Sequence, residues 1–132
     1  MSGPPELVPA PIEGAIAPIV VEALERARVD RRTLVVTVGA RWCEPCVRFH
    51  DAVARGELDA RLPGVRFLEF DLDRDGARLR EAGYDSRYIP LFVIPEADGR
   101  GGTRRVEGGI KGDLAVDHIL GRLGPLLAGA GA

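Results

Sequence analysis

The chain of 132 residues is 45% hydrophobic and 29% charged, and 18 basic against 20 acidic residues give it a formal net charge of −2. Its apolar residues suffice for the core of one domain, and 17 glycines with 10 prolines stay below the content typical of disordered chains. Basic and acidic residues are interspersed along the sequence. We therefore expect no phosphate-binding surface and no nucleic-acid partner.

Apolar runs are short throughout the sequence. Runs such as 34–36 and 91–95 are far below the ~20 residues of a membrane-spanning helix. The N-terminus also lacks the basic segment of a secretory signal. These features predict no membrane partner and a cytoplasmic protein, or a periplasmic one if an upstream signal sequence has been removed.

Residues 1–11 contain four prolines and are expected to form a flexible, extended arm. Periodicity and turn residues then predict helices and strands in alternation. The predicted elements are a helix from residue 18, a strand over 34–38, a helix over 44–58, a strand over 65–70, an acidic turn over 71–76, a helix over 77–82, two hairpin strands over 89–94 and 103–107, and a helix after 113.

This order predicts an α/β domain over 12–127, with a central mixed sheet flanked by helices. The strand at 34–38 is apolar at both odd and even positions, which is typical of a central strand covered on both faces. The small residues over 128–132 are expected to form a frayed C-terminal tail.

Both cysteines of the chain lie in the segment Trp42-Cys43-Glu44-Pro45-Cys46, directly after the predicted central strand and at the start of a helix. Unpaired N–H groups and the positive end of the helix dipole lower the pKa of a thiol placed there. Cys43 is therefore expected to be the exposed attacking sulfur. Cys46 lies nearly one turn later and is expected to sit deeper, to form a disulfide with Cys43 and to act as the resolving sulfur.

The residues around the cysteines are expected to tune this chemistry. Pro45 suits the first helical turn, and Trp42 can shield one side of the dithiol. Glu44 complements the helix dipole, but its carboxylate beside Cys43 disfavours the thiolate. We expect Glu44 to make the couple more reducing, by about 15–30 mV.

Two other roles of the cysteines are open at the level of sequence. A structural staple is disfavoured because a four-residue loop constrains the unfolded chain little. A zinc site could use Cys43, Cys46 and His50, in a C-x₂-C-x₃-H spacing, with His118 as the fourth ligand. Proline between the cysteines and the preceding strand favour redox chemistry instead, so we expect no metal and no bound cofactor.

The motif at 42–46 resembles the W-C-x-P-C hallmark of the thioredoxin family. Ile89-Pro90 matches the family's cis proline at the start of a later strand, and Gly108 or Gly109 matches its glycine near the end of the last hairpin. The similarity covers about residues 18–127 and implies a thioredoxin fold and thiol–disulfide exchange. The family's first strand would have to come from the stretch near Ile12 to Ile16.

The sequence departs from the family at several positions near the motif. Thr37 stands where thioredoxins carry a buried aspartate that helps to deprotonate the resolving thiol, and Glu69 aligns with a position that is usually lysine. Gly39 replaces a frequent aromatic residue four positions before the motif, and Leu91 follows the proline where threonine is common. The chain is therefore interpreted as thioredoxin-like, with Thr37 and Glu69 as redox-tuning candidates.

The resemblance implies a protein-disulfide reductase in which Cys43 attacks a client disulfide and Cys46 resolves the mixed disulfide. A reductase would supply the electrons, and the protein is expected to be a monomer. Ile89, Pro90 and Gly108 are expected to bind an extended client segment. The alternative from another class is a non-catalytic thioredoxin-fold binding module, with or without the Cys43/Cys46/His50 zinc site.

Overall fold

The computed structural model describes residues 3–130 of the chain. Within this range the elements, in chain order, are β1 (Glu6–Pro9), α1 (Ile16–Val29), β2 (Thr33–Gly39), α2 (Glu44–Ala54), β3 (Val65–Asp71), α3 (Leu72–Glu81), β4 (Leu91–Val93), β5 (Arg105–Glu107) and α4 (Ala115–Ala130). None of the described helices is long and apolar enough to cross a membrane.

The strands form one five-stranded sheet in the order β1-β3-β2-β4-β5. β1 and β2 both run parallel to β3, whereas β4 runs antiparallel to β2 and to β5. The prediction of an α/β chain with a mixed central sheet and flanking helices is therefore confirmed. β2 is the middle strand, and its C-terminal end leads directly into the cysteine segment.

Each face of the sheet is covered by helices, which explains why β2 is apolar at both its odd and its even positions. One face packs Val36 of β2 against residues of α1 and α3, including Val20 and Leu79. On the other face Val35 packs with residues of α2 and α4. Three rings hold this second face together in edge-to-face contacts at 5.0–6.1 Å: Phe49, Phe67 and Phe92.

The N-terminal segment differs from the sequence prediction. Residues 6–9, expected in a flexible arm, form the edge strand β1, and the stretch 12–16 leads into α1 without forming a strand. The edge strand is held by ion pairs: Glu6 accepts from Arg66 at 2.8 Å and contacts Arg32 at 3.0 Å. These partners lie far away in sequence, so the proline content of the segment gave no sign of them.

α3 begins earlier than predicted, because the acidic segment expected as a turn is the first part of this helix. Asp71 is the N-cap and accepts a hydrogen bond from the N–H of Arg74 at 2.8 Å. Asp75 in turn accepts from the N–H of Asp71 at 3.0 Å. Two N–H groups that a helix start leaves unpaired are thereby satisfied.

Other boundaries also shift, and α1 begins at Ile16 rather than 18 and β5 at Arg105 rather than 103. α2 ends at Ala54 rather than near 58. Gly56, two residues later, has the left-handed conformation (φ +81°) that commonly follows a helix end. β4 begins only after Pro90, which has no N–H to donate to a neighbouring strand. α4 continues to Ala130, so residues 128–130 are helical where a frayed tail was expected; residues 131 and 132 lie outside the described range.

Candidate functional site

The two cysteines lie at the junction of β2 and α2 and are bonded to each other, with their Cα atoms 5.3 Å apart. Cys43 is the N-cap residue of α2, in an extended conformation, and its Sγ accepts a hydrogen bond from the N–H of Cys46 at 3.4 Å. Glu44 and Pro45 form the first turn of the helix. The predicted position of the motif at the start of a helix, and the pairing of its cysteines, are confirmed.

The accessibility of the two cysteines is the reverse of the prediction. Cys43, expected to be exposed, has 5% of its surface accessible, whereas Cys46, expected to lie deeper, is only half-buried. The reason is Gly39 at the end of β2: a Cβ atom there would lie 3.2 Å from Cys46 Cβ and 3.4 Å from its Sγ. Without a side chain at this position, Cys46 stays uncovered.

A cavity of about 300 Å³ opens to solvent beside Cys46. It lies between α2, the ends of β2 and β3, and the start of α3. Its lining does not include Cys43. The lining residues are Leu7, Thr37, Val38, Gly39, Ala40, Arg41, Cys46, Val47, Phe49, His50, Phe67, Glu69, Phe70, Asp71, Arg74, Pro90 and Phe92.

The cavity brings together Thr37 and Glu69, the two positions at which the sequence departs from the thioredoxin pattern. They are neighbours in the register of β2 and β3 and lie on the sheet face that α2 covers, because side chains alternate along a strand. His50, one turn after Cys46 in α2, places Nδ1 2.7 Å from Glu69 Oε2. An imidazole–carboxylate pair therefore shares the cavity with the Cys46 sulfur.

The zinc arrangement considered from the sequence is not assembled. Between residues 3 and 130, no group of three or more His, Cys, Asp or Glu side chains is placed to hold a metal ion. His50 is paired with Glu69, and the cysteines are bonded to each other. His118, the fourth candidate ligand, lies on α4 with its Nδ1 buried and without a hydrogen-bond partner.

Trp42 and Glu44 flank Cys43, and both side chains are held by other parts of the molecule. The Trp42 indole N–H donates to Asp73 of α3 at 2.9 Å, while 66% of the residue stays exposed. Glu44 Oε1 accepts from the Gly112 N–H at 2.5 Å and from Arg48 Nε at 3.2 Å. The Gly112 hydrogen bond, assisted by Arg48, holds the pKa of the Glu44 carboxyl below its usual value.

The segment on the other side of the dithiol contains the predicted proline and glycines. The Ile89–Pro90 peptide bond is cis, as predicted. Gly108, with φ +82°, donates its N–H to Pro90 O at 2.8 Å. A Cβ atom on Gly109 would lie 3.1 Å from Pro45 Cβ and 3.4 Å from Pro90 Cδ, so Gly109 is the glycine that lets this segment approach the motif.

Sequence reasoning missed Arg122 of α4 as a support of this glycine segment. Its guanidinium donates to Gly108 O at 2.9 Å and to Glu107 O at 2.6 Å. The local sequence contains no signal for this role, since Arg122 contacts the segment only through the packing of α4 against β5. Arg122 positions the glycines and does not touch the sulfurs.

No protein-family model matches the chain, and a search of the curated proteins returns no match. The chemistry of the site is therefore argued from its geometry. A pair of cysteines at bonding distance, with one sulfur at a helix N-terminus, is compatible with reversible oxidation and reduction.

Proposed function

We propose that the chain is a thioredoxin-like protein that reduces disulfides of client proteins through Cys43 and Cys46. The observation that carries this proposal is the bonded cysteine pair with Cys43 as the N-cap of α2. A sulfur in that position accepts an N–H hydrogen bond and lies at the positive end of the helix dipole. Both effects favour the thiolate, which is the reactive form.

The reaction proceeds in two exchanges. The Cys43 thiolate attacks one sulfur of the client disulfide, forming a mixed disulfide and releasing the other client sulfur, which takes up a proton. Cys46 then loses its proton and attacks Cys43 Sγ, so that the Cys43–Cys46 disulfide forms and the second client sulfur leaves. Two electrons pass from the dithiol to the client.

Cys46 needs a proton acceptor in the second exchange, and Thr37 cannot act as a base near neutral pH. His50 and Glu69 supply one, since both line the cavity beside Cys46 and are joined by a 2.7 Å hydrogen bond. In the second exchange, His50 takes the proton from Cys46, directly or through a water molecule, and Glu69 stabilises the resulting imidazolium. Glu69 thereby serves as a tuning residue, although not in the place of the family's aspartate.

The surface around the motif suits an extended client segment. The cis Ile89–Pro90 bond, Gly108 and Gly109 form its backbone wall, and large apolar side chains stay exposed nearby. Those side chains are Trp42, Val47, Tyr88 and Ile110. Each of the four is next in sequence to a cysteine of the motif, to Ile89 or to Gly109, and exposed apolar side chains around a site suit contact with other proteins.

The test is reduction of insulin with dithiothreitol as the electron source, followed by the turbidity of the released B chain. We expect the wild-type protein to accelerate the reaction and Cys43→Ser to abolish the acceleration. Cys46→Ser should retain insulin as a mixed disulfide on non-reducing gels, with the doubly substituted Cys43→Ser/Cys46→Ser protein as the control. Absence of acceleration by the wild-type protein would refute the reductase, and trapping by Cys43→Ser would reverse the roles of the two sulfurs.

A further inference from the structure

The cavity is lined by one cysteine of the disulfide and not by the other. Cys46 lines the cavity and is half-buried, whereas Cys43 is outside the lining and 5% exposed. Gly39 creates this access, because a Cβ atom there would contact Cys46 Sγ at 3.4 Å. A small nucleophile that enters the cavity therefore meets Cys46 first.

Attack at Cys46 is also the chemically favoured direction. Thiol–disulfide exchange is faster when the departing sulfur has a low pKa. Cys43 is the sulfur that accepts the Cys46 N–H hydrogen bond at the positive end of the α2 dipole. Cys43 is thus the better leaving group, and it leaves when Cys46 is attacked.

The charges around the cavity indicate which small thiol fits. The side chains of Asp71 and Arg74 are already paired at the start of α3, since Asp71 caps the helix and Arg74 binds Asp75 at 3.0 Å. Glu69 is paired with His50. Arg41 lies on the lining, exposed, and among the described residues its guanidinium has neither a hydrogen bond nor an ion pair. A carboxylate on the incoming molecule would find a donor there.

We propose that the oxidised protein is reduced by a low-molecular-weight thiol carrying a carboxylate, which enters this cavity and attacks Cys46 Sγ. The proposal rests on the dithiol function proposed above and names its electron donor, in place of a dedicated reductase. About 300 Å³ is at the lower end of pockets for small ligands, which fits a molecule of this size.

The exchange balances as follows. The small thiolate bonds to Cys46 Sγ, the Cys43–Cys46 bond breaks, and Cys43 leaves as a thiolate. A second small thiolate attacks the sulfur of the first, which forms a small disulfide and frees Cys46 as a thiolate. Two small thiols supply two electrons. They lose two protons on ionisation, and Cys43 and Cys46 take up two protons when they return to thiols.

The first experiment locates the mixed disulfide. The oxidised full-length protein is mixed with 3-mercaptopropionate, quenched with acid at short times and alkylated, and the tryptic peptide 42–48 is fragmented in a mass spectrometer to assign the adduct. We expect the adduct on Cys46 and the alkyl group on Cys43. An adduct on Cys43 overturns the proposal.

The second experiment tests the role of charge. Rate constants, expressed per thiolate, are compared for 3-mercaptopropionate and for neutral 2-mercaptoethanol. Arg41→Gln should slow the anionic thiol by about threefold, as expected for a partly exposed charge pair, and leave the neutral thiol unchanged. Arg55→Gln, at the far end of α2, is the matched control and should change neither rate. Equal effects of Arg41→Gln on both thiols contradict the carboxylate-binding part of the proposal.

Failure of this proposal is distinguishable from failure of the proposed function. If the adduct forms on Cys43 while the protein still accelerates insulin reduction, the reductase stands and the small-thiol route through the cavity is wrong. If the adduct forms on Cys46 but insulin reduction is not accelerated, the cavity exchanges small thiols and the protein-reductase proposal is wrong.

Discussion

At the residue scale, the environments of Cys43 and Cys46 have different causes. The position of Cys43 follows from local rules, because a strand followed by a proline-containing helix start places the first cysteine at the cap. The accessibility of Cys46 depends on Gly39, seven residues earlier, and on how β2 packs against α2. Gly39 is visible in the sequence as a departure from the family pattern, but its contact with Cys46 is not. The accessibility of the two cysteines was therefore predicted in the wrong order.

Glu44→Gln tests how far the carboxylate influences the sulfur. The sequence predicted a shift of about 15–30 mV from like-charge repulsion. Glu44 is bound to the Gly112 N–H and to Arg48, whose positive charge offsets its own. We therefore expect Glu44→Gln to make the protein more oxidising by less than about 15 mV, measured by equilibration with glutathione at low salt.

Arg48→Gln is the matched control for that measurement. Removing the positive charge leaves Glu44 uncompensated near the Cys43 thiolate, so the reduced form becomes less favourable and the potential should move to more negative values. A shift of the Glu44→Gln protein above about 30 mV would show that the charge of Glu44 acts on the sulfur without compensation, and the absence of a negative shift for Arg48→Gln would show that Arg48 provides none.

At the element scale, strands and helices with clear periodicity were predicted, and boundaries set by polar side chains were not. The segment 71–76 was interpreted as a turn because aspartates and glycine dominate it. Its aspartates instead cap α3: Asp71 and Asp75 each accept an N–H of the first turn. Whether aspartates make a turn or a cap depends on the packing of Leu72 and Leu79, which a local pattern does not reveal.

Asp75→Asn tests this cap and should destabilise the protein by about 2–3 kcal/mol at neutral pH. Asp75 is 1% exposed; its burial raises the pKa of the carboxyl, but hydrogen bonds from Arg74, Asp71 N–H and Arg78 outweigh burial and hold the pKa below its usual value of 3.8. Arg78 also donates to Pro11 O at 2.6 Å, so the loss extends to the segment before α1.

The pH dependence of this effect has a definite sign. A carboxyl whose pKa is lower in the folded state stabilises the protein above its unfolded pKa, and this contribution is lost as pH falls through the folded value. The difference in unfolding free energy between wild-type and Asp75→Asn proteins should be constant above about pH 5 and should shrink below pH 3.8. Urea unfolding at a series of pH values measures it, and a constant difference down to pH 2 would contradict the ion pair.

α4 contains glycines that serve no visible packing purpose. Gly121 and Gly124 are exposed, and a Cβ atom on either would have no neighbour within 4 Å. Gly121→Ala should stabilise the protein by about 0.5–1 kcal/mol, because alanine loses less backbone entropy than glycine on entering a helix. Gly108→Ala is the contrasting variant: its φ of +82° and close approach to Tyr88 predict a loss. Thermal unfolding of both proteins compares the two signs, and a loss for Gly121→Ala would contradict the open space around it.

At the scale of the whole molecule, the α/β class was predictable and the sheet order was not. Alternating helices and strands require a layered arrangement. Which strand occupies which edge is decided by contacts between distant residues, such as the pairing of Glu6 with Arg66 and of Thr37 with Glu69. From the sequence, the first strand was assigned to the stretch near 12–16, and the proline-rich segment before it was interpreted as an arm, although prolines are tolerated in edge strands.

Leu7→Ala, Val8→Ala and Ile12→Ala separate the two possible edge strands. Leu7 packs against the α2/α4 face of the sheet and Val8 against the α1/α3 face, whereas Ile12 is 64% exposed. Leu7→Ala and Val8→Ala should each lower the free energy of unfolding by about 1–2 kcal/mol, below the cost at a fully buried site, and Ile12→Ala should change it by less than about 0.5 kcal/mol. Urea denaturation measures all three. The reverse order, with Ile12→Ala costing most, would place the edge strand near 12–16. Because Leu7 also lines the cavity beside Cys46, that result would also remove one wall of the site that we assign to a small thiol.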